Sequence, residues 1–260
     1  MQISSEHRQE LMQARQKLEN PGFTARVTDL IGEPIDKAFD LLPAGWAEKI
    51  GSITHDALIR ALKVATRSLA DDADTPASPR LHSLGAALSG AAGGAFGWAA
   101  LALELPVSTT LMLRSIADIA RSHGESMRST ETQLACLMVF SIGGRSSADD
   151  ATESGYFATR IALAKAMADA TGYLAQQGAV SQGAPALVRL VSLIANRFNL
   201  QVTQKAAATA VPVLGAASGA LINTLFINHY QEMARGHFTV RKLERIYGED
   251  VVRNAYESVN

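Results

Sequence analysis

Residues Gly85-Ala86-Ala87-Leu88-Ser89-Gly90-Ala91-Ala92-Gly93-Gly94-Ala95-Phe96-Gly97-Trp98-Ala99-Ala100-Leu101-Ala102-Leu103 form the body of a stretch, Leu81 to Leu103, that holds no charged side chain. A second uncharged stretch, Ala206 to Asn228, contains Pro212-Val213-Leu214-Gly215-Ala216-Ala217-Ser218-Gly219-Ala220-Leu221-Ile222-Asn223. In the first, Gly85, Ser89, Gly93 and Gly97 fall four apart, with Gly90 and Gly94 on the neighbouring line. Gly215 and Gly219 repeat that spacing briefly. Small residues at every fourth position flatten one face of a helix, and two backbones can then approach closely. Each helical glycine costs about 1 kcal/mol relative to alanine, so tight packing has to compensate. The spacing predicts an all-α, multi-helix bundle built around two glycine/alanine-rich central helices.

Both stretches are long enough to cross a hydrocarbon core of about 30 Å. Composition argues against it. Ala and Gly bury little apolar area, and Thr209, Pro212, Ser218, Asn223, Thr224 and Asn228 interrupt the second run. Three placements stay open: a hairpin buried in a bundle, a hairpin that associates with a bilayer or an acyl chain, and a true span.

The flanking sequence reads as further helices, parted by a loop over residues 70–79, which also marks a candidate boundary, and by a linker over residues 178–185. Residues 4–19 read as a polar helix stopped by Asn20-Pro21-Gly22, and a further stretch runs from Phe23 to about Leu42 with a break near Gly32. Pro43 suits the first turn of a helix that carries Trp46, Ile50, Ile53, Leu58, Leu62 and Leu69. Glu104-Leu105-Pro106 closes the first uncharged run, and a helix from Val107 to about Ser122 follows, with Gly124 as its C-cap. Further helices are expected after Ser129, over Asp149–Gln177, over Ala186–Phe198, and from Thr239, where the threonine can cap. The division expected is an N-terminal helical extension over 1–42 and a main helical domain over 43–260. Nothing shows the alternation of a sheet protein.

Composition narrows the function classes. Lys and Arg number 24 against 25 Asp and Glu, a net charge of -1, and no basic stripe is present to take nucleic acid. The single cysteine, Cys136, stands in an apolar run, which excludes a disulfide framework and reads as an inert buried thiol. The polar N-terminus lacks an apolar signal region, so a cytoplasmic location is expected. The glycines precede no Lys-Ser/Thr and follow no strand, so they form no phosphate loop.

The candidate polar cluster consists of Glu104, Arg114, Asp118, Glu153, Tyr156, Arg160, Asn223, His229, Glu232, Arg235 and His237. Arg114 and Asp118 stand four apart and can pair on one helix face; a buried Arg114 would instead take Glu104 or Glu153. Ser154-Gly155 lacks the strand–turn context of a nucleophile elbow. His229 and Glu232, three apart, resemble half of a carboxylate-bridged metal site, but no second Glu-x-x-His completes it. No metal and no cofactor are expected.

Three blocks carry a resemblance: Glu104-Leu105-Pro106 through Ala120; Glu153-Ser154-Gly155-Tyr156; and Ala210 through Asn223 with His229-Tyr230-Gln231-Glu232-Met233-Ala234-Arg235-Gly236-His237-Phe238. In this order and over roughly residues 40–257, the chain resembles the EcsC protein family, a bacterial group named after a protein encoded with an ABC transporter. The resemblance transfers no catalytic residues. It implies a process at the membrane, and no ATP-binding signature makes this chain the transporter ATPase. Two readings follow. One is a non-enzymatic accessory protein, peripheral at the inner membrane or holding a lipid or other apolar ligand, with a protein partner as a variant of it. The other is a hydrolase-type enzyme that gathers Glu104, Arg114, Glu153 and His229 in one pocket.

Overall fold

The computed structural model describes residues 3–19, 22–32, 35–42, 44–67, 101–143, 155–177, 183–211 and 215–258. Over these residues the chain is helical: α1 (Ser5–Glu19), α2 (Phe23–Ile31), α3 (Ile35–Phe39), α4 (Trp46–Arg67), α5 (Leu101–Ser122), α6 (Thr130–Met138), α7 (Gly155–Gln177), α8 (Pro185–Ala210), α9 (Gly215–Tyr247) and α10 (Glu249–Ser258), with one 3-10 turn at Val139–Ser141. The all-α bundle expected from the sequence is what forms. The first glycine-rich run lies outside the described residues except for its end, Leu101–Leu103.

At 33 residues α9 is about 50 Å long, and it organises the bundle. It packs against α1, α5, α8, α2 and α10, while α4 lies against α5, α8 and α6, and α7 lies against α8 and α6. Its inward line, Ile222, Phe226, Tyr230, Met233 and Phe238, is fully buried. Phe226 and Tyr230 meet Phe198 of α8 and Phe140 of the 3-10 turn, with ring centroids 5.0–5.9 Å apart. Offset and edge-on pairs of this kind add about 0.5–1.5 kcal/mol each beyond their buried area.

Two glycines are required by close approach. A Cβ on Gly236 would sit 2.7 Å from Leu18 Cγ and 3.2 Å from the Ala14 carbonyl, so α1 rests on bare backbone of α9. Gly143 adopts φ +84, and a Cβ there would come within 2.7 Å of both His229 Cε1 and Met233 Sδ. Elsewhere Ser129 caps α6 by accepting from the Thr132 amide, and Gly124 follows α5 in a left-handed conformation, as expected.

Several boundaries differ from the sequence reading. Thr239 does not start a helix; it lies inside α9, because Val240 and Leu243 continue the buried face already set by Tyr230 and Met233. Likewise α8 does not stop at Phe198 but runs to Ala210, through buried Val202, Lys205 and Ala206–Ala208. The second uncharged run is therefore divided between the end of α8 and the start of α9. Pro106 lies within α5 rather than closing the run before it. Its missing N–H deprives the carbonyl of Ala102, and Ala102 is exposed to water, which keeps the cost low.

Candidate functional site

The candidate polar residues that the structure describes are distributed over several junctions, some between helices and some within one helix. The most buried is built on Lys205 of α8. Its Nζ donates to Glu104 Oε1 at 2.9 Å, to Glu104 Oε2 at 2.7 Å and to Asn223 Oδ1 at 2.8 Å. The side chains of Lys205 and Glu104 keep only 3% and 8% of their surface in contact with water. An ammonium has three protons to give, and these three contacts use them. The Phe226 ring lies 4.8 Å from Nζ and adds a cation–π contact on the apolar side. Glu104 therefore has Lys205 as its partner and not Arg114. Arg114 stands ten residues further along the same helix, about 15 Å of rise away.

A second junction joins α7 to α9. The Tyr156 hydroxyl lies 2.9 Å from His237 Nδ1, and both side chains are buried. Arg160 Nη1 reaches the same hydroxyl at 3.5 Å, and its fork grips Glu244 at 2.5 and 3.1 Å. A guanidinium only donates, so the tyrosine oxygen accepts from it and turns its own proton towards Nδ1. Neutral His237 then carries its proton on Nε2, an atom with no hydrogen-bond partner among the described residues. Burial, reinforced by the positive charges of Arg160 and Arg241, holds His237 well below the ordinary histidine range. Burial also pushes the Tyr156 phenol up, so it stays protonated. Glu19 of α1 closes this end of the bundle by accepting from the Gly155 amide at 3.2 Å and the Tyr256 hydroxyl at 2.8 Å.

The remaining candidates are found elsewhere. Asp118 pairs with Arg121 on its own helix. Glu232 takes Arg26 of α2 at 2.8 Å, and Arg235 reaches Gln231 Oε1 at 3.5 Å. His229 is buried with its ring 5.2 Å from Phe23 and 4.8 Å from Tyr230. Glu153 lies outside the described residues. Among the described residues no group of three or more His, Cys, Asp and Glu side chains is placed to hold a metal ion. Cys136 is fully buried, and burial raises its thiol far above the usual range.

One junction has no counterpart among the sequence candidates. Glu125, just past the end of α5, accepts from Arg241 Nε at 2.9 Å, from Thr132 Oγ1 at 2.9 Å and from Arg245. Burial works to raise this carboxyl, yet Arg241, Thr132 and Arg245 together bring it below the ordinary glutamate value. Arg241 also reaches Glu131 at 3.1 Å.

Among the described residues the buried charges are paired, mostly with partners from another part of the chain. The chain belongs to the EcsC protein family, whose model matches residues 5–243. No curated protein and no solved structure matches it.

Proposed function

We propose that the protein is a non-enzymatic accessory protein that associates peripherally with the inner face of a membrane through apolar contact at the start of α5. The observation carrying this reading is a contrast within one turn of helix. Glu104 is turned inward and held by Lys205, while its neighbour Leu103 stands 82% exposed and Val107, one turn on, is half exposed. The inward pair fixes the helix, so the two apolar side chains are presented from a rigid base. Among the described residues no helix is long and apolar enough to cross a membrane, so the contact would be superficial. The engagement of both Glu104 oxygens, and the rise of about 15 Å along α5 from Glu104 to Arg114, favour this reading over a hydrolase-type one.

Co-sedimentation with vesicles of phosphatidylethanolamine and phosphatidylglycerol tests the proposal. The expected result is binding that the double substitution Leu103→Glu, Val107→Glu removes without loss of helicity. Protein that stays in the supernatant, and that carries no lipid in native mass spectrometry, would remove the reading.

A further inference from the structure

Helix α7 is unusual in having apolar and small residues on all sides while only one side is covered. Tyr156, Phe157, Thr159, Leu163, Ala166, Ala170 and Leu174 face the bundle. On the other side Ile161 is 53% exposed, and Ala162, Lys165, Ala168 and Asp169 are exposed with it. At Gly172 an added Cβ would meet nothing within 4 Å. A helix that is apolar all round is normally covered all round. Small side chains without a neighbour leave room for another backbone to come close.

The two charges on this face identify the neighbour. Lys165 and Asp169 make no ion pair with any described residue, and they stand four apart with the lysine first, the weaker order for pairing within a helix. Laid antiparallel against a copy of itself, about a two-fold axis beside residue 167, the order inverts. Each Lys165 then opposes the Asp169 of the other copy, and the pair forms twice. The same register brings each Ile161 level with residue 173 of the other copy, within one residue (about 1.5 Å of rise) of Gly172, where space is open. A two-fold interface has to be complementary to itself, and this face meets that requirement in charge and in shape. With a net charge of -1, two copies do not repel each other at long range.

We infer that the exposed face of α7 is a self-association surface, on which a second copy of this chain docks antiparallel through Lys165–Asp169 pairs and Ile161–Gly172 contacts. The inference is independent of the membrane reading, which uses α5. Sedimentation velocity of the full chain over a concentration series tests it. The wild type should reach twice the 27.6 kDa of one chain. Lys165→Asp and Asp169→Lys should each weaken self-association about tenfold or more, because each sets like charges opposite one another twice. Mixing those two variants in equal amounts should restore the dimer, since both pairs re-form between unlike copies. Gly172→Leu should weaken association while leaving helicity intact. A wild type that stays monomeric throughout overturns the inference. So do single charge reversals without effect, or a mixture that fails to recover.

Discussion

Replacing Lys205 with methionine tests the buried junction directly. Methionine keeps the unbranched apolar length of the side chain and removes the three donors. Glu104 would then remain beneath the surface with both oxygens facing an apolar thioether, and Asn223 Oδ1 would lose its donor as well. Removing one member of a buried ion pair costs about 3–5 kcal/mol, most of it the uncompensated charge left behind. For a chain of this size that corresponds to a fall in Tm of roughly 6–20 °C. The companion change separates the causes. Glu104→Leu with Lys205→Met removes both charges, and such double replacements are often close to neutral. Urea unfolding monitored by circular dichroism gives the midpoint and slope for wild type, both single variants and the double variant. A Lys205→Met midpoint within about 1 kcal/mol of wild type would refute the argument, because the carboxylate would then have to be reached by water. A double variant as damaged as the singles would refute it too, since the loss would then come from shape rather than unpaired charge.

Burial keeps His237 neutral in the folded chain, whereas in the unfolded chain it titrates near 6.5. As pH falls below about 6.5 the unfolded state takes up a proton that the folded state refuses, so stability should be full above that pH and decline below it by up to about 1.4 kcal/mol per pH unit. His237→Gln should flatten that part of the profile, read as unfolding midpoints from pH 7.5 to 4.5. Gly143→Ala places a Cβ against His229 and Met233 in a left-handed backbone, and should lose about 1–3 kcal/mol in the same denaturation assay. Glu125→Gln should destabilise the fold at pH 7 but have less effect in acid, because the contribution of this carboxylate is present above its usual value and lost as pH falls through its lowered folded one. Gel-filtered protein unfolded at pH 7 and pH 3 would show the difference.

The helices were legible because their apolar spacing and their stops are local. Gly22, Gly32 and Gly124 act through their own backbones and Ser129 through its side chain, and each stands at a helix end or beside one. The misread boundaries are those that tertiary contact decides. Nothing near Thr239 in the sequence shows that α9 continues, since the continuation rests on Phe238, Val240 and Leu243 packing against distant helices. The pairing of Glu104 had a usable signal that helical spacing does not reveal. Glu104 is the only charged residue between Arg80 and Arg114, and Lys205 is the only one between Arg197 and Glu232. Two solitary opposite charges in uncharged sequence must each be compensated if buried, and each is the obvious partner for the other. The Glu125 junction gave no such signal, because Arg241 and Arg245 sit in a sequence already rich in charge.

The blocks that carry the family resemblance acquire a physical meaning once their contacts are known. Glu104 from the first block meets Asn223 from the third through Lys205. Ser115, also from the first, accepts from Gln231 of the third at 2.8 Å. Tyr156 from the second meets His237 from the third. The blocks are thus bound to one another, with α9 as their common member. A polar contact buried between helices fixes rotation and register in a way that apolar packing alone does not, because a slip of one residue strands a donor or a charge. The Glu104 oxygens, the Lys205 protons and the Tyr156 hydroxyl are committed to each other or to neighbouring helices, so these buried polar residues serve as fastenings that set how α5, α7 and α8 seat on α9.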